Sequence, residues 1–216
     1  INDYRITILN YRGASGAGNA RNFGLDYIIK KNLNDFLLWP IDCDDQLING
    51  SRSLVIKKFN EFEYSMMSFG ALKIYKKCQI KINSFGEKKY KDLLKRYSTP
   101  CGSTIIRIKK NDILKSLRFG QRKRANDQLF FLKAANHFQK CFFHRKTILL
   151  NFCTNKNSLS NKKWKQPIYK FLVFVDLGLN RYEVLYYFYK YLTYNLFQIL
   201  PIKNNSNKIL IFNKYK

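Results

Sequence analysis

Phe36-Leu37-Leu38-Trp39-Pro40-Ile41-Asp42-Cys43-Asp44-Asp45-Gln46-Leu47 is the stretch that decides the fold class. The apolar run at 36–41 predicts a buried strand, and it ends on three carboxylates, Asp42, Asp44 and Asp45. The chain carries 14 acidic residues against 40 basic ones, so three acids in one short turn are out of proportion. Carboxylates this close raise one another's pKa unless a positive group stands among them. A hard divalent cation, held by one or two carboxylates and by substrate phosphates, is one solution. A solvated Asp-rich turn after a strand is the other. At the carboxyl end of an α/β strand, the first reading is a metal-nucleotide site.

Outward from this stretch, strands and helices alternate. Residues 4–9 predict a strand, and Gly13, Gly16 and Gly18 a flexible loop. A helix over 19–31 would have Ala20, Phe23, Tyr27 and Ile28 on one face. Beyond the acids, the pattern predicts a helix at 51–59, strands at 64–69 and 71–75, and a basic, exposed helix at 88–97. A strand at 103–108, a helix at 125–136 and short strands at 141–144 and 147–152 follow. This alternation predicts a mainly parallel sheet flanked by helices.

Composition narrows the class. An apolar content of 46% over 216 residues excludes a disordered chain and supports a real core. The formal net charge is +26, alongside 18 Phe and 15 Tyr. Lys, Asn, Ile, Tyr and Phe all have AT-rich codons, so codon bias is one source of this balance. Selection for an anionic membrane surface, an anionic substrate or a nucleic acid is the other. Five cysteines without a C-x-x-C pair read as reduced thiols of a cytoplasmic protein. Two histidines argue against a His-based metal centre. The opening Ile1-Asn2-Asp3-Tyr4-Arg5 has neither an initiator Met nor the apolar segment of a signal peptide.

The composition shifts near residue 154. A polar, basic stretch at 155–165 precedes helices predicted at 167–177 and 181–200. Residues 140–216 hold 14 Lys and Arg but only Asp176 and Glu183 as acids. The stretch 184–200 has one charge, Lys190, and is studded with Tyr186, Tyr187, Tyr189, Tyr191 and Tyr194. Tyrosines favour the membrane interface over its centre, so a helix lying on a membrane or packed on the domain is expected rather than one crossing it.

Three pieces carry the chemistry. The first is Gly16-Ala17-Gly18-Asn19-Ala20-Arg21-Asn22-Phe23-Gly24, a glycine loop entering a helix. Backbone amides and the positive helix end can approach phosphate there, and Arg21 adds a planar charge. The second is the acidic turn at 42–45. The third runs from Arg118-Phe119-Gly120 to Asn126-Asp127-Gln128-Leu129-Phe130-Phe131, where a lone acid opens a helix. Asp127 reads either as a helix cap or as a catalytic carboxylate.

In this order the three pieces resemble the bacterial family 2 glycosyltransferases of the GT-A type, which build capsule, lipopolysaccharide and other surface glycans. The resemblance covers about residues 4–160, and it includes the polar Thr154-Asn155-Lys156-Asn157-Ser158-Leu159-Ser160. It implies an α/β nucleotide-diphospho-sugar transferase fold and a divalent metal, Mn2+ or Mg2+. By the same resemblance, Asp45 is the principal metal carboxylate. Asp44 lies near the ribose or bridges to the metal, and Asp42 supports the turn. Arg21 helps hold the nucleotide-sugar, and Asp127 is the general base that activates the acceptor hydroxyl, with inversion at the anomeric carbon. Asn126 stands where many relatives have Glu.

The family also opens with a strand, a helix and a second strand that have no counterpart before Ile1. The expectation is therefore an N-terminally incomplete catalytic domain over 1–160 and a basic aromatic helical extension over 161–216. The expected donor is a nucleotide-diphospho-sugar such as a UDP-sugar, and the expected acceptor a glycan or lipid-linked molecule. The expected location is the inner face of the cytoplasmic membrane, against its anionic surface. A basic nucleic-acid-binding protein is the alternative from another class, suggested by Arg118, Arg122, Lys123 and Arg124. Its basic residues are scattered and leave the glycine-acid-acid order unexplained. A truncated, non-catalytic remnant is the third reading.

Overall fold

Apolar residues on both sides of each central strand require a sheet covered on both faces, and that is what the computed structural model contains. It describes residues 6–75, 78–81, 85–95, 101–122, 124–153, 166–199 and 210–212. The elements run α1 (Ala17–Lys30), β1 (Phe36–Leu38), β2 (Gln46–Leu47), α2 (Ser51–Glu61), β3 (Met66–Tyr75), β4 (Cys78–Lys81) and β5 (Phe85–Lys89). Then come α3 (Tyr90–Lys95), a 3-10 turn (Cys101–Ser103), β6 (Thr104–Ile108), α4 (Ile113–Ser116) and α5 (Asn126–Phe138). Last are β7 (Lys140–Cys153), α6 (Gln166–Asp176), α7 (Arg181–Ile199) and β8 (Leu210–Phe212).

Side chains alternate across a strand, so neighbours in sequence enter opposite cores. Met66, Ile106 and Phe143 face the larger core, built with Leu25 of α1, Phe130 and Phe131 of α5, and Phe174 and Tyr187 of α6 and α7. Met67, Ile105 and Phe142 face the smaller one, closed by Val55 and Phe59 of α2. The C-terminal helices α6 and α7 thus share the main core.

The sheet order is β1-β6-β3-β4-β8, with β7 beside β3 and in turn pairing β2 and β5. The expectation of a mainly parallel sheet is corrected here. Strands β1, β3 and β7 do run one way, but only β3 and β7 pair in parallel among the described residues. β6 lies between β1 and β3 and runs against both, in register Leu38↔Ile106 and Met66↔Ile106. The sequence pattern reports that a strand exists, whereas its direction depends on which neighbours it finds.

Other differences are local. The strands expected at 64–69 and 71–75 form one strand, β3, whose pairing to β7 shifts register around Gly70. The exposed helix expected at 88–97 is split. Its first residues extend β5 against β7, and the helix that remains buries Leu93 and Leu94. Residues 6–9 form no strand, and 4–5, 96–97 and the linker at 154–165 lie outside the described residues.

Candidate functional site

The reversed direction of β6 builds the site. Because β6 is antiparallel to β1, its entry turn Cys101–Ser103 lies at the end where β1 delivers the acidic turn. The Trp39 indole N–H donates to the Gly102 carbonyl at 2.7 Å and ties the two segments together. The acidic turn closes on itself through Asp45 N–H to the Asp42 carbonyl, 3.0 Å. Beyond it, β2 pairs with β7, and the Ile48 N–H and the Ser51 hydroxyl both donate to the Leu149 carbonyl.

Helix α1 supplies the cation. Arg21 is ion-paired to Asp42 Oδ1 through Nη2, while Nη1 donates to Asn126 Oδ1 at 2.8 Å. Its guanidinium carbon lies 5.2 Å from the centre of the Phe119 ring. One side chain therefore joins three segments far apart in sequence: the glycine loop, the acidic turn and the start of α5. The 118–120 segment is held to the same helix. Asn22 accepts from the Phe119 N–H at 2.8 Å and donates to the Phe119 carbonyl at 3.0 Å, and Arg118 pairs with Asp26 at 2.6 Å. At Gly18 the approach is closer than a side chain allows: a Cβ there would stand 2.0 Å from the Gly120 carbonyl oxygen.

Asp127 lies in the first turn of α5, where Ala125, and not an acid, holds the cap position with a left-handed φ of 55°. The backbone amides of Gln128 and of Asp127 itself draw its pKa down, as the amides at a helix start do for an acid. It is also within electrostatic reach of Arg21 and Asp42. Burial raises its pKa above the ordinary value, against the pull of Arg21. For Arg21, burial works against the charge, but Cys101, Asp42 and Asp127 outweigh it and the pKa is raised. The Cys101 thiol is pushed up, chiefly by burial and then by Asp127, and it feels Arg21, Asp42 and Asp45 as well.

Arg21, Asp42, Asp45 and Asp127 are thus brought together around Cys101. Both carboxylate oxygens of Asp45 are buried, and Oδ2 stands 3.1 Å from where a Cβ on Gly102 would be. Asp44 sits on the same turn but is exposed. Among the described residues no three His, Cys, Asp or Glu side chains form a ready-made metal cage. The donor set is that of hard carboxylates on one turn, which suits Mg2+ or Mn2+ when substrate phosphates complete the coordination. A mainly apolar recess of about 300 Å3 opens beside Arg21, lined by Leu9, Leu25, Leu38, Pro40 and Phe119.

Sequence reasoning missed Cys101, Asn126 and Phe119 as members of this cluster. Asn126 was legible only as a departure from a motif, and no local signal marked Cys101, which is brought in by β6.

The α/β architecture, a sheet between helices, is shared with solved structures of a glycosyltransferase. S. aureus TarS, a glycosyltransferase, is similar in structure. TarS 1-349 in complex with UDP-GlcNAc matches at a TM-score of 0.56 and 14% identity, over 87% of this chain and 57% of that one. TarS 1-349 in complex with UDP matches at 0.52 and 14% identity, over 82% and 50%. A further S. aureus TarS structure matches at 0.53 and 14% identity, over 87% of this chain and 34% of that one. The chain therefore spans little more than half the length of TarS 1-349. No protein-family profile and no curated protein sequence matches it.

Proposed function

We infer that the chain moves a sugar from a nucleotide-diphospho-sugar, a UDP-sugar, to a glycan or lipid-linked acceptor in surface polysaccharide synthesis, at the inner face of the cytoplasmic membrane. The observation that carries this reading is the Arg21 bridge: it holds the acidic turn and the start of α5 together, with Asp127 beside them. The similar TarS structures hold UDP-GlcNAc and UDP, which makes a UDP-sugar the first donor to test.

The roles follow from exposure and charge. Arg21 orders Asp42 and Asn126 and supplies positive potential for a diphosphate. Asp44, exposed on the turn, would lie near the ribose or bridge to the cation. Asp45, whose carboxylate oxygens are buried beside Gly102, would be the principal carboxylate for the cation. When bound, Mn2+ or Mg2+ would neutralise the leaving diphosphate. Asp127 has the character of a general base: burial raises its carboxyl pKa, while Arg21 and backbone amides pull against that rise. It takes the acceptor hydroxyl proton as that oxygen attacks the anomeric carbon, a single displacement that inverts configuration.

Titration calorimetry with UDP-GlcNAc and with UDP in the presence of Mn2+ tests the reading. Binding should be lost in Arg21→Ala and kept in Asp127→Asn, whereas transfer, or slow donor hydrolysis, should fall about 100-fold or more in Asp127→Asn. Absence of nucleotide binding by the unaltered chain, or unchanged turnover in Asp127→Asn, would overturn it.

A further inference from the structure

Helix α7 is apolar or aromatic on two opposite faces, and the core explains only one. Val184, Tyr187, Phe188 and Tyr191 recur at i, i+3, i+4 and i+7 and belong to the main core or pack against it, Tyr191 through its stacking on Phe188. Tyr182, Leu185, Tyr186 and Tyr189 recur with the same spacing half a turn away, and they are 85%, 61%, 49% and 62% exposed. Soluble surfaces scatter such residues singly; a contiguous stripe marks an interaction face. On α6, Ile168 and Val175 are likewise exposed, two turns apart.

Charge identifies the occupant. Lys190 borders the stripe, exposed, with its ammonium 5.7 Å from the Tyr186 ring centre, and Arg181 is exposed at the start of the helix. Glu183, the acid of this helix, is engaged at the helix start, where it accepts from the Asn180 N–H at 3.1 Å. By sequence, the stretches on either side of the α6–α7 pair are basic: Lys156, Lys162, Lys163 and Lys165 before, Lys203, Lys208, Lys214 and Lys216 after, with no acid in 154–165 or 200–216. A second copy of a chain of net charge +26 would bring like charges together on this face. No described helix is long and apolar enough to cross a membrane. Tyrosine rings carry an apolar body and a polar tip, and lysine stems reach from apolar surface to water, a combination suited to the headgroup boundary of a bilayer.

We propose that the outer face of α7, with Tyr182, Leu185, Tyr186 and Tyr189 flanked by Arg181 and Lys190, docks on the surface of an anionic phospholipid bilayer, the helix lying in the interface plane. This deepens the membrane location inferred above. It rests on the α7 face rather than on the transfer chemistry, so either can fail alone.

Flotation of the full chain with vesicles of equimolar phosphatidylglycerol and phosphatidylcholine, and with pure phosphatidylcholine, is the test. The full chain should float with the anionic vesicles only and be released as salt rises. The triple variant Tyr182→Ser, Leu185→Ser, Tyr189→Ser should lose binding about tenfold or more, and Lys190→Glu should weaken it. Both variants should keep the circular dichroism, thermal midpoint and UDP-sugar binding of the parent, because the altered side chains lie outside the core. Equal flotation of parent and triple variant would overturn the proposal. So would a concentration-dependent dimer in sedimentation velocity that the triple variant abolishes, or loss of vesicle binding to competing duplex DNA with the stripe variants unaffected.

Discussion

Replacing Lys170 by methionine should make the protein more stable. Lys170 is 3% exposed on α6, and its ammonium has no hydrogen-bond partner among the described residues. The acids of its helical pair are engaged elsewhere: Asp176 takes Arg122 at 2.8 Å, and Glu183 accepts from the Asn180 N–H. Among the described residues, the Lys170 ammonium lies over aromatic faces, the Phe174 ring at 4.9 Å and the Tyr191 ring at 5.8 Å. Burial lowers its pKa to about 7. In the unfolded chain an ordinary lysine titrates near 10.4, so holding it charged in the fold costs about 4 kcal/mol. The two rings return about 1–2 kcal/mol through cation-π attraction, which leaves a net cost of about 2–3 kcal/mol.

Methionine is unbranched and of similar length, so it fills the same space without a charge. The sign follows from proton uptake. Between pH 7 and 10 the unfolded chain holds a proton on Lys170 that the folded chain has released, so the native protein gains stability as pH rises. The advantage of Lys170→Met should therefore be about 2–3 kcal/mol at pH 7 and vanish toward pH 10. Urea denaturation of both proteins at the two pH values measures it. A variant no more stable at pH 7, or a gap indifferent to pH, would refute the burial argument.

Two further outcomes follow from the site. Gly18→Ala should lower the melting temperature by several degrees, because the new methyl group meets backbone at Gly120, which cannot swing aside as a side chain would; an overpacking cost of about 1–3 kcal/mol is expected, read by calorimetry. Asp127→Asn should stabilise the protein while removing turnover: its carboxyl pKa is raised by burial, so the stability it contributes is present at acid pH and lost as pH rises through the folded pKa. The gap between Asp127→Asn and the parent should then close as pH falls, and the acid limb of the parent's rate profile should lie above the pH of an ordinary aspartate.

Local pattern determined a good deal. The glycine loop and its helix, the strand before the acids, the helix opened by Asn126 and Asp127, and both C-terminal helices are all written in short-range periodicity and turn chemistry, which act within one or two turns of chain. The order of glycine loop, acidic turn and Asn-Asp helix start was enough to suggest a transferase fold. Tertiary structure decided the rest, because it depends on which distant segment a residue meets. β6 inserts between β1 and β3 against their direction, and only that reversal brings Cys101 and Gly102 beside the acidic turn. The adjacent Asp44 and Asp45 look alike in sequence, yet one is exposed and the other has both oxygens buried, since the turn packs on the entry to β6. Lys170 read as one basic residue among many; packing between α6 and α7 made it a buried cation held by rings, because apolar neighbours on both sides of its position in the helix leave the ammonium no path to water.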